Sequence, residues 1–527
     1  MKLKLLFLPR YEVNPNIGKP TQVSKYPPLG IATLTAFLKE NNISVEQDDV
    51  DIKVFHHNLT NNENRRIKLE IFNDKKRIDE FIQTKNDPGL EKEAEKILKL
   101  TDCKGFDVIG LSLNIADNPS STAIALVLAK ILKERYGSTI ITGQTMKKEI
   151  LKELLQTGLI DYGIISTPYF SIAEVSLLNF CRMSEKDMDL TKIPGIVHVK
   201  DGKLVYTKKD EEFNNKEKFI VSRPDFDDLP LDLYINKKKY EVDWICYKSD
   251  VAFLPYFFIR GCSNNCAFCT YSMCSWHAKD PKKVAEDLEY LSKKYKTKCF
   301  FFLNTEINPT YEYAERVAEE IIKKNLDIIW SDCATVNNID KNLLKKLKEA
   351  GAVRLVFGVE SGCPKIMKYV NKPFTLNQAE EILKEASKLK ILTQIDVICG
   401  FPYETEQDVD ATIKFIKKNR ESIMAVDLNK FYLNGLMQSF PERYGIKRLQ
   451  EEEKFYGNWS TIPFDEIYGL SWEEKVKQTI HFFNEIQKAI EEEFKPPMLN
   501  FNDIGDVFFA ILNPSLIDKV FKNKNRG

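Results

Sequence analysis

Two stretches of this chain alternate short apolar runs with amphipathic helical patterns, and this alternation constrains the fold more than any other feature. A continuous β/α rhythm predicts parallel strands whose connecting helices cover both faces of the sheet. The first stretch therefore predicts an α/β domain with a doubly wound, Rossmann-like sheet. Its predicted strands are residues 3–8, 44–52, 106–113, 139–143 and 162–166.

The second stretch carries six strand-like runs separated by amphipathic helices. Six such units predict a partial (β/α)6 barrel, in which functional groups gather at the carboxyl ends of the strands. The predicted strands are residues 257–260, 298–303, 328–330, 353–359, 393–398 and 425–433.

These patterns divide the chain into four parts. The last part is rich in aromatic and acidic residues, contains a predicted helix at 472–493, and is a candidate substrate or lid domain. The predicted parts are an α/β domain at 1–210 with a helical insertion at 58–100, a linker at 211–249, a barrel at 250–433 and a mostly helical domain at 434–527.

Composition narrows the expected partners and location. The chain has 77 basic and 77 acidic residues, so no net positive field attracts a nucleic acid. No apolar run reaches about 18 residues, so a membrane span is not expected. The 11 cysteines are an odd number in a chain without a recognisable export signal, which predicts free thiols in a reducing cytoplasm. Clustered cysteines there indicate a metal site.

Three cysteines, Cys262, Cys266 and Cys269, follow directly after an apolar strand. Thiolates at this density bind iron–sulfur clusters or zinc. The spacing lets one loop contact three corners of a cuboidal cluster, leaving the fourth iron open to a substrate. The alternative is a zinc knuckle in which Cys274 supplies a fourth thiolate. The position of the loop at the start of a barrel pattern favours the cluster.

The pattern Cys-x3-Cys-x-Phe-Cys resembles the radical S-adenosylmethionine (SAM) superfamily, and the likeness extends over residues of about 250–435. The resemblance implies that Cys262, Cys266 and Cys269 hold a [4Fe-4S] cluster whose open iron is chelated by SAM. One electron then cleaves SAM to methionine and a 5′-deoxyadenosyl radical. In this family the aromatic residue before the last cysteine, here Phe268, lies near the adenine.

Three later segments match the same family. The run Gly358-Val359-Glu360-Ser361 resembles the motif whose Glu and Ser reach the SAM ribose. The run that begins Ile398-Cys399-Gly400 resembles the motif that lines the adenine. Asn304 occupies the second-strand position that holds the SAM amino group, although the glycines usual there are absent. The resemblance thus implies SAM contacts at Phe268, Asn304, Glu360, Ser361, Ile398 and Gly400.

The front domain resembles the cobalamin-binding domain of cobalamin-dependent radical SAM enzymes. Its matching loops follow predicted strands, where ligands of doubly wound sheets bind. The Asp-x-His-x-x-Gly motif is absent, and His56 and His57 lie in the wrong connection, so cobalamin would bind without a ligand from the protein. A docking domain without cobalamin is the alternative. The implied cobalamin contacts are Pro28, Leu29, Gly30, Ser112, Leu113, Asn114, Gly143, Gln144, Thr167 and Tyr169.

These resemblances predict a cobalamin-dependent radical SAM C-methyltransferase that acts on an unactivated carbon of a peptide or natural-product intermediate. A low-potential donor of the flavodoxin or ferredoxin type would reduce the cluster. The alternatives are cyclisation, ring contraction or epimerisation with the same cofactors, and a zinc-binding interaction protein. A methylthiotransferase acting on transfer RNA is disfavoured because its extra clustered cysteines and basic tail are missing.

Overall fold

The computed structural model contains two compact units, residues 1–247 and 248–527. No helix in the described ranges combines the length and apolar character that crossing a membrane requires. The structure describes residues 1–11, 13–14, 19–20, 26–113, 119–143, 148–164, 172–183, 190–207, 221–234, 253–272, 274–450, 454–456, 459–494 and 504–512.

The N-terminal unit is built on a seven-stranded sheet with the order β4-β1-β5-β6-β7-β8-β9. Strands β4, β1, β5, β6 and β7 are parallel, and β8 and β9 continue the edge in antiparallel fashion. Two further strands, β2 and β3, pair as a short ribbon. The strands are β1 Lys2–Phe7, β2 Val13–Asn14, β3 Lys19–Pro20, β4 Ser44–Asp49, β5 Val108–Ser112, β6 Thr139–Gly143, β7 Tyr162–Ile164, β8 Ile196–Lys200 and β9 Lys203–Tyr206.

Helices connect the parallel strands, as the alternating pattern predicts. The predicted insertion at 58–100 belongs to the hydrophobic core, because Phe72, Phe81 and Leu90 are fully buried in it. The helices of this unit are α1 Leu29–Glu40, α2 Val50–Thr60, α3 Lys75–Thr84, α4 Pro88–Leu98, α5 Pro119–Tyr136, α6 Lys148–Gln156 and α7 Ile172–Arg182.

The described part of the predicted linker, residues 221–234, packs on the N-terminal unit. Phe226 is fully buried, and Lys39 forms an ion pair with Asp225 at 2.9 Å. The hydroxyl of Tyr234 donates to the carboxyl group of Asp49. This segment therefore contributes to the core of the first unit.

The C-terminal unit is built on a six-stranded sheet with the order β10-β13-β14-β15-β16-β17, in which every pairing is parallel. Three antiparallel pairs, β11-β12, β18-β21 and β19-β20, lie outside it. The strands are β10 Phe253–Tyr256, β11 Ile259–Arg260, β12 His277–Ala278, β13 Cys299–Phe302, β14 Ile329–Ala334, β15 Ala352–Glu360, β16 Leu392–Cys399, β17 Ala425–Lys430, β18 Ile446–Arg448, β19 Lys454–Tyr456, β20 Trp459–Thr461 and β21 Phe464–Glu466.

The helices of this unit have clear start signals. The side chains of Asp280, Thr310, Asp340 and Thr375 each accept a hydrogen bond from a backbone amide in the first turn of the following helix. The predicted helix at 472–493 is confirmed as α15. The helices are α8 Pro281–Tyr295, α9 Tyr311–Lys323, α10 Lys341–Glu349, α11 Pro364–Tyr369, α12 Leu376–Lys388, α13 Glu406–Lys418, α14 Gly435–Ser439, α15 Trp472–Glu493 and α16 Ile504–Leu512.

Candidate functional site

The three clustered cysteines lie in a loop that the short antiparallel pair β11-β12 closes. Ile259 pairs with Ala278 and Arg260 with His277, so the loop leaves and returns at the same point beyond β10. Gly261 has a φ of +79°, and a Cβ there would lie 2.3 Å from the carbonyl oxygen of Ser275. Only glycine fits this entry to the loop.

The backbone of the cysteine loop is fixed by neighbouring elements on two sides. The amide of Ala267 donates to the carbonyl oxygen of Val370 at 2.9 Å, and the amide of Met437 donates to the carbonyl oxygen of Ala267 at 3.0 Å. Within the loop, the amide of Cys269 donates to the carbonyl oxygen of Cys266 at 3.0 Å. The cysteines are thus held in a defined conformation by the chain itself.

Burial favours the protonated form of the three thiols. Desolvation raises the pKa of Cys262 to about 12, and it also raises the pKa of Cys266 and of Cys269. Cys266 lies close enough to Cys262 and Cys269 to raise the pKa of both further. Such thiols become thiolates when a metal supplies positive charge in place of the proton.

Cys274, the fourth ligand of the zinc alternative, has its thiol directed at a backbone carbonyl. Its Sγ lies 3.7 Å from the carbonyl oxygen of Thr270. Within the described ranges, no three histidine, cysteine, aspartate or glutamate side chains converge closely enough to hold a single metal ion. The fourth thiol therefore has a partner of its own in this loop.

The buried Glu306 and the half-buried Asn264 are hydrogen-bonded to each other beside Cys262. The carboxyl group of Glu306 accepts from the amide of Ser263 at 2.6 Å and from Nδ2 of Asn264 at 2.8 Å. Asn264 also points two donors at Sγ of Cys262, its amide at 3.4 Å and its Nδ2 at 3.7 Å. Glu306 lies two residues after Asn304 in the same loop. The sequence analysis selected Asn304 as a SAM contact and did not select Glu306.

The side chain of Asn304, just after β13, connects the segment that follows β10 with β14. Its Oδ1 accepts from the amides of Phe258 and Ile259 at 2.9 and 3.0 Å, and its Nδ2 donates to Asp332 at 2.7 Å. This network fixes the start of the cysteine loop. A direct contact between Asn304 and SAM stays a prediction.

Glu360 ends β15 and forms a buried ion pair with Lys372. The Lys372 Nζ lies 2.9 Å from Oε1 of Glu360, and the two side chains are 8% and 10% exposed. Glu360 has a φ of +66°, which turns it out of the strand direction. Desolvation lowers the pKa of Lys372, but the charges of Glu360 and Cys266 raise it more, so the net pKa lies above its usual range. A cation thus lies beside the thiols.

Lys372 is a residue that the sequence did not single out. It lies in the polar run Asn371-Lys372-Pro373, which reads as an exposed turn. Its Nζ lies 5.5 Å from the centre of the Phe268 ring. Lys372 therefore links Phe268, Glu360 and the cysteine loop.

Phe268 and Ile398 pack against one hydrophobic cluster. The Phe268 ring lies 5.5 Å from the ring of Phe401, which belongs to the turn after β16. Both Phe268 and Ile398 are only partly buried. An apolar surface therefore runs from the cysteine loop to the end of β16.

Ser361 is fully buried and faces the helix side of the barrel. Its Oγ lies 3.2 Å from Oγ1 of Thr412 and accepts from the amide of Cys363 at 3.1 Å. The structure thus gives Ser361 a role in starting α11. A contact between Ser361 and the SAM ribose stays a prediction.

Gly400 allows a close approach between the turn after β16 and α15. It has a φ of +87°, and a Cβ there would lie 2.5 Å from two side-chain atoms of Thr479. Its amide donates to Oε2 of Glu404 at 2.6 Å. The fixed conformation of this turn therefore depends on residues far along the chain.

In the N-terminal unit, predicted cobalamin residues meet at the carboxyl edge of the sheet. Phe7 is in register with Ser112, and Ser112 with Gly143. Among the described residues, no atom lies within 4 Å of a Cβ added to Gly30. Pro28 and Leu29 begin α1, and Leu113 is buried directly after β5. Outside the described residues lie Asn114, Gln144, Thr167 and Tyr169.

The two adjacent histidines of this unit have backbone partners within it. Nε2 of His56 lies 2.7 Å from the carbonyl oxygen of Leu233, and Nε2 of His57 lies 3.0 Å from that of Arg65. Burial lowers the pKa of His56. Both side chains therefore extend from α2 to backbone carbonyl oxygens outside that helix.

The cysteine loop and barrel strands β13 to β16 fall within a region that matches a known family. Residues 256–416 match the model described as the Radical SAM superfamily. This part of the C-terminal unit is therefore similar to the radical SAM superfamily. The matched range includes the three loop cysteines, the Glu360–Lys372 pair and the turn at Gly400. The match confirms the resemblance on which the three cysteines, Glu360 and Gly400 were selected, while the individual roles of these residues stay predictions.

One relative is the "Uncharacterized methyltransferase PH0819" of Pyrococcus horikoshii. The two proteins are 30% identical over 236 residues, which cover 44% of this chain and 48% of the relative. The chain spans about half, or less, of the length of the first curated relatives it matches.

Two solved structures share the fold over most of this chain. The radical SAM methyltransferase TsrM from Kitasatospora setae, solved with cobalamin and a [4Fe-4S] cluster, gives a TM-score of 0.61 at 13% identity and covers 92% of this chain and 89% of that chain. The cobalamin-dependent SAM radical enzyme OxsB, solved with aqua-cobalamin and SAM, gives 0.54 at 18% identity, with coverages of 81% and 53%. At these identities the likeness is one of fold. It confirms the predicted class, a doubly wound α/β domain followed by a partial barrel and a C-terminal region.

Proposed function

We propose that this protein is a cobalamin-dependent radical SAM enzyme, most simply a C-methyltransferase acting on an unactivated carbon. The observation that carries the proposal is the cysteine loop at the carboxyl end of the first barrel strand. It holds the buried Cys266 and the half-buried Cys262 and Cys269 beside the buried side chain of Lys372. The matched family and the fold shared with two cobalamin-dependent enzymes support the proposal.

The donor set fits a [4Fe-4S] cluster with one open iron. Cys262, Cys266 and Cys269 would be its ligands, since soft thiolates are the ligands such clusters take. Lys372 and the donors of Asn264 would offset the negative charge of the bound thiolates. When bound, the cluster would supply the electron that cleaves SAM, and cobalamin would carry the methyl group.

The remaining residues of the radical SAM domain would bind and orient SAM. Phe268 and Ile398 offer the apolar surface for the adenine, and Gly400 shapes the turn beside it. Glu360 would accept hydrogen bonds from the ribose hydroxyls. Asn304 and Ser361 would fix the loop and the strand end, in addition to their predicted direct contacts with SAM.

The carboxyl edge of the N-terminal sheet would bind cobalamin, because ligands of doubly wound sheets lie at the carboxyl ends of the strands. Ser112 and Gly143 lie side by side there, and the space beside Gly30 is open. The partners of His56 and His57 support binding without a histidine ligand to cobalt. The proposed contacts are Pro28, Leu29, Gly30, Ser112, Leu113, Asn114, Gly143, Gln144, Thr167 and Tyr169.

The substrate class and the partners are part of the proposal. We assign a peptide or natural-product intermediate as substrate, a flavodoxin- or ferredoxin-type electron donor and a cytoplasmic location. Cyclisation, ring contraction or epimerisation with the same cofactors is the second candidate, because a shared fold leaves the reaction outcome open.

Anaerobic reconstitution with iron, sulfide and hydroxocobalamin tests this proposal. The protein is expected to retain iron and cobalt through gel filtration and, with SAM and dithionite, to form 5′-deoxyadenosine. The variant Cys274→Ala is the matched control and is expected to retain iron. Cobalamin that elutes apart from the protein would overturn the cobalamin assignment, and colourless protein holding zinc without iron would overturn the whole proposal.

A further inference from the structure

The turn after β16 is held by side chains from the C-terminal end of the chain. Nζ of Lys475, on α15, donates to the carbonyl oxygen of Phe401 at 2.6 Å. The carboxyl group of Glu466 accepts from the amide of Tyr403 at 2.8 Å. Thr479 packs against Gly400 from the same face of α15, one helical turn beyond Lys475. The backbone of the turn is thus anchored from at least three points outside it.

Lys475 is an unusual residue for its position. Its side chain is 1% exposed and lies 3.1 Å from Oε1 of Glu466. Burial lowers the pKa of this lysine, and the charge of Glu466 acts in the opposite direction. A buried ion pair is seldom more stable than apolar side chains of similar volume. The pair therefore points to a role in fixing geometry, which the directional bond to Phe401 supplies.

Phe401 connects this anchor to the cysteine loop. Its ring contacts Phe268, the residue before Cys269, at a centroid distance of 5.5 Å. Phe401 and Phe268 belong to the same apolar surface that, under the proposed function, receives the adenine. A shift of the Phe401 backbone would move one wall of that surface.

We propose that Lys475 is a positioning residue for SAM, fixing the turn Gly400–Tyr403 so that α15 helps to shape the adenine surface. The inference rests on the proposed function, because it takes that surface to be the SAM site. Lys475 acts through the carbonyl oxygen of Phe401 and does not touch the reacting atoms.

The test compares SAM affinity in variants of the reconstituted full-length protein. Lys475→Met removes the bond to Phe401, and Lys475→Arg keeps a cationic donor. Lys477→Met is the matched control, since Lys477 lies on the same helix and is exposed. Iron and sulfide content, the thermal unfolding midpoint and the SAM dissociation constant are measured for each. We expect normal iron content in K475M, SAM binding weakened by about tenfold, partial recovery in K475R and no change in K477M.

A double variant keeps the test decisive if K475M is unstable. Lys475→Met with Glu466→Gln replaces the ion pair by uncharged groups, and the introduced amide keeps an oxygen that can accept from the backbone amide of Tyr403. This protein is expected to regain stability while its SAM binding stays weak. SAM binding at wild-type strength in the double variant would overturn the inference alone. A wild-type protein that holds the cluster and binds no SAM would overturn the proposed function and the inference together.

Discussion

The α-carbon of Gly435 packs directly against the backbone of Cys269. A Cβ at position 435 would lie 2.3 Å from the carbonyl oxygen of Cys269 and 2.9 Å from its nitrogen. The φ of Gly435 is +61°, so an alanine here meets both backbone strain and a fixed obstacle. The first segment after the barrel therefore constrains the position of Cys269, a proposed cluster ligand.

The substitution Gly435→Ala is expected to displace Cys269 and lower the iron content of the reconstituted protein. Gly202→Ala is the control, because Gly202 has a similar φ of +72° with no atom within 4 Å of an added Cβ. Iron analysis and absorption spectra report the outcome. Full iron occupancy in G435A would contradict the importance of this contact.

Breaking the Glu360–Lys372 pair is expected to destabilise the protein. Lys372→Met leaves a buried carboxylate without its cation, which costs about 3–5 kcal/mol when one partner of a buried pair is removed. The double variant Glu360→Gln/Lys372→Met removes both charges and should recover much of this loss. Denaturant unfolding of wild type, both single variants and the double variant measures the coupling. Additive losses would show that the two side chains do not stabilise each other.

The titration of Glu404 is expected to make stability depend on pH. Burial raises the pKa of Glu404 from 4.5 to about 7, against the hydrogen bond from the Gly400 amide and the charge of Lys475, with Asp408 adding to the rise. Because the folded-state pKa is raised, the stabilisation is complete below pH 4.5 and is lost as pH rises through about 7, a change of about 3 kcal/mol.

Glu404→Gln stays neutral and keeps an oxygen for the Gly400 amide, so it should lose this dependence. Glu473→Gln, at an exposed position of α15, is the control. The free energy of unfolding of each protein is measured between about pH 5 and pH 8. The values for E404Q and wild type are expected to be similar at low pH, and E404Q is expected to be the more stable protein at high pH. Parallel profiles for wild type and E404Q would refute the assignment.

Asn264 is expected to tune the bound cluster. Its amide and Nδ2 point at Sγ of Cys262, and hydrogen bonds to cluster sulfurs influence reduction potential. Asn264→Ala removes the side-chain donor and should make the potential more negative. Asn371→Ala is the control, because its Nδ2 bonds to the carbonyl oxygen of Asn265 in the same loop. Spectroelectrochemical titration that gives equal potentials for N264A and wild type would contradict the prediction.

The alternating pattern predicted the two parallel sheets. The cysteine spacing predicted the cysteine loop. The pattern was less reliable at element ends. The predicted strand 44–52 stops at Asp49, because that side chain accepts from the amide of Ile52 and starts α2. Local capping chemistry therefore overrides the strand-like pattern of the apolar residues Val50 and Ile52.

The supporting residues of the site could not be found from sequence because their roles depend on long-range packing. Lys372 and Lys475 look like ordinary surface lysines, and their burial arises only when β15 and the turn after β16 pack around them. The importance of Gly435 likewise depends on its contact with Cys269, which lies far earlier in the chain. Sequence patterns thus predict candidate cofactor ligands, whereas the residues that pack around them are found only from the folded structure.

The most direct measurement is 5′-deoxyadenosine formation from SAM by anaerobically reconstituted Cys266→Ala and Cys274→Ala proteins under dithionite. We predict that C266A loses the cluster and the product and that C274A keeps both. Of these two cysteines, Cys266 is a proposed cluster ligand and Cys274 is not. Product formation by C266A at the wild-type level, or its loss in C274A alone, would contradict the assignment of the three-cysteine loop.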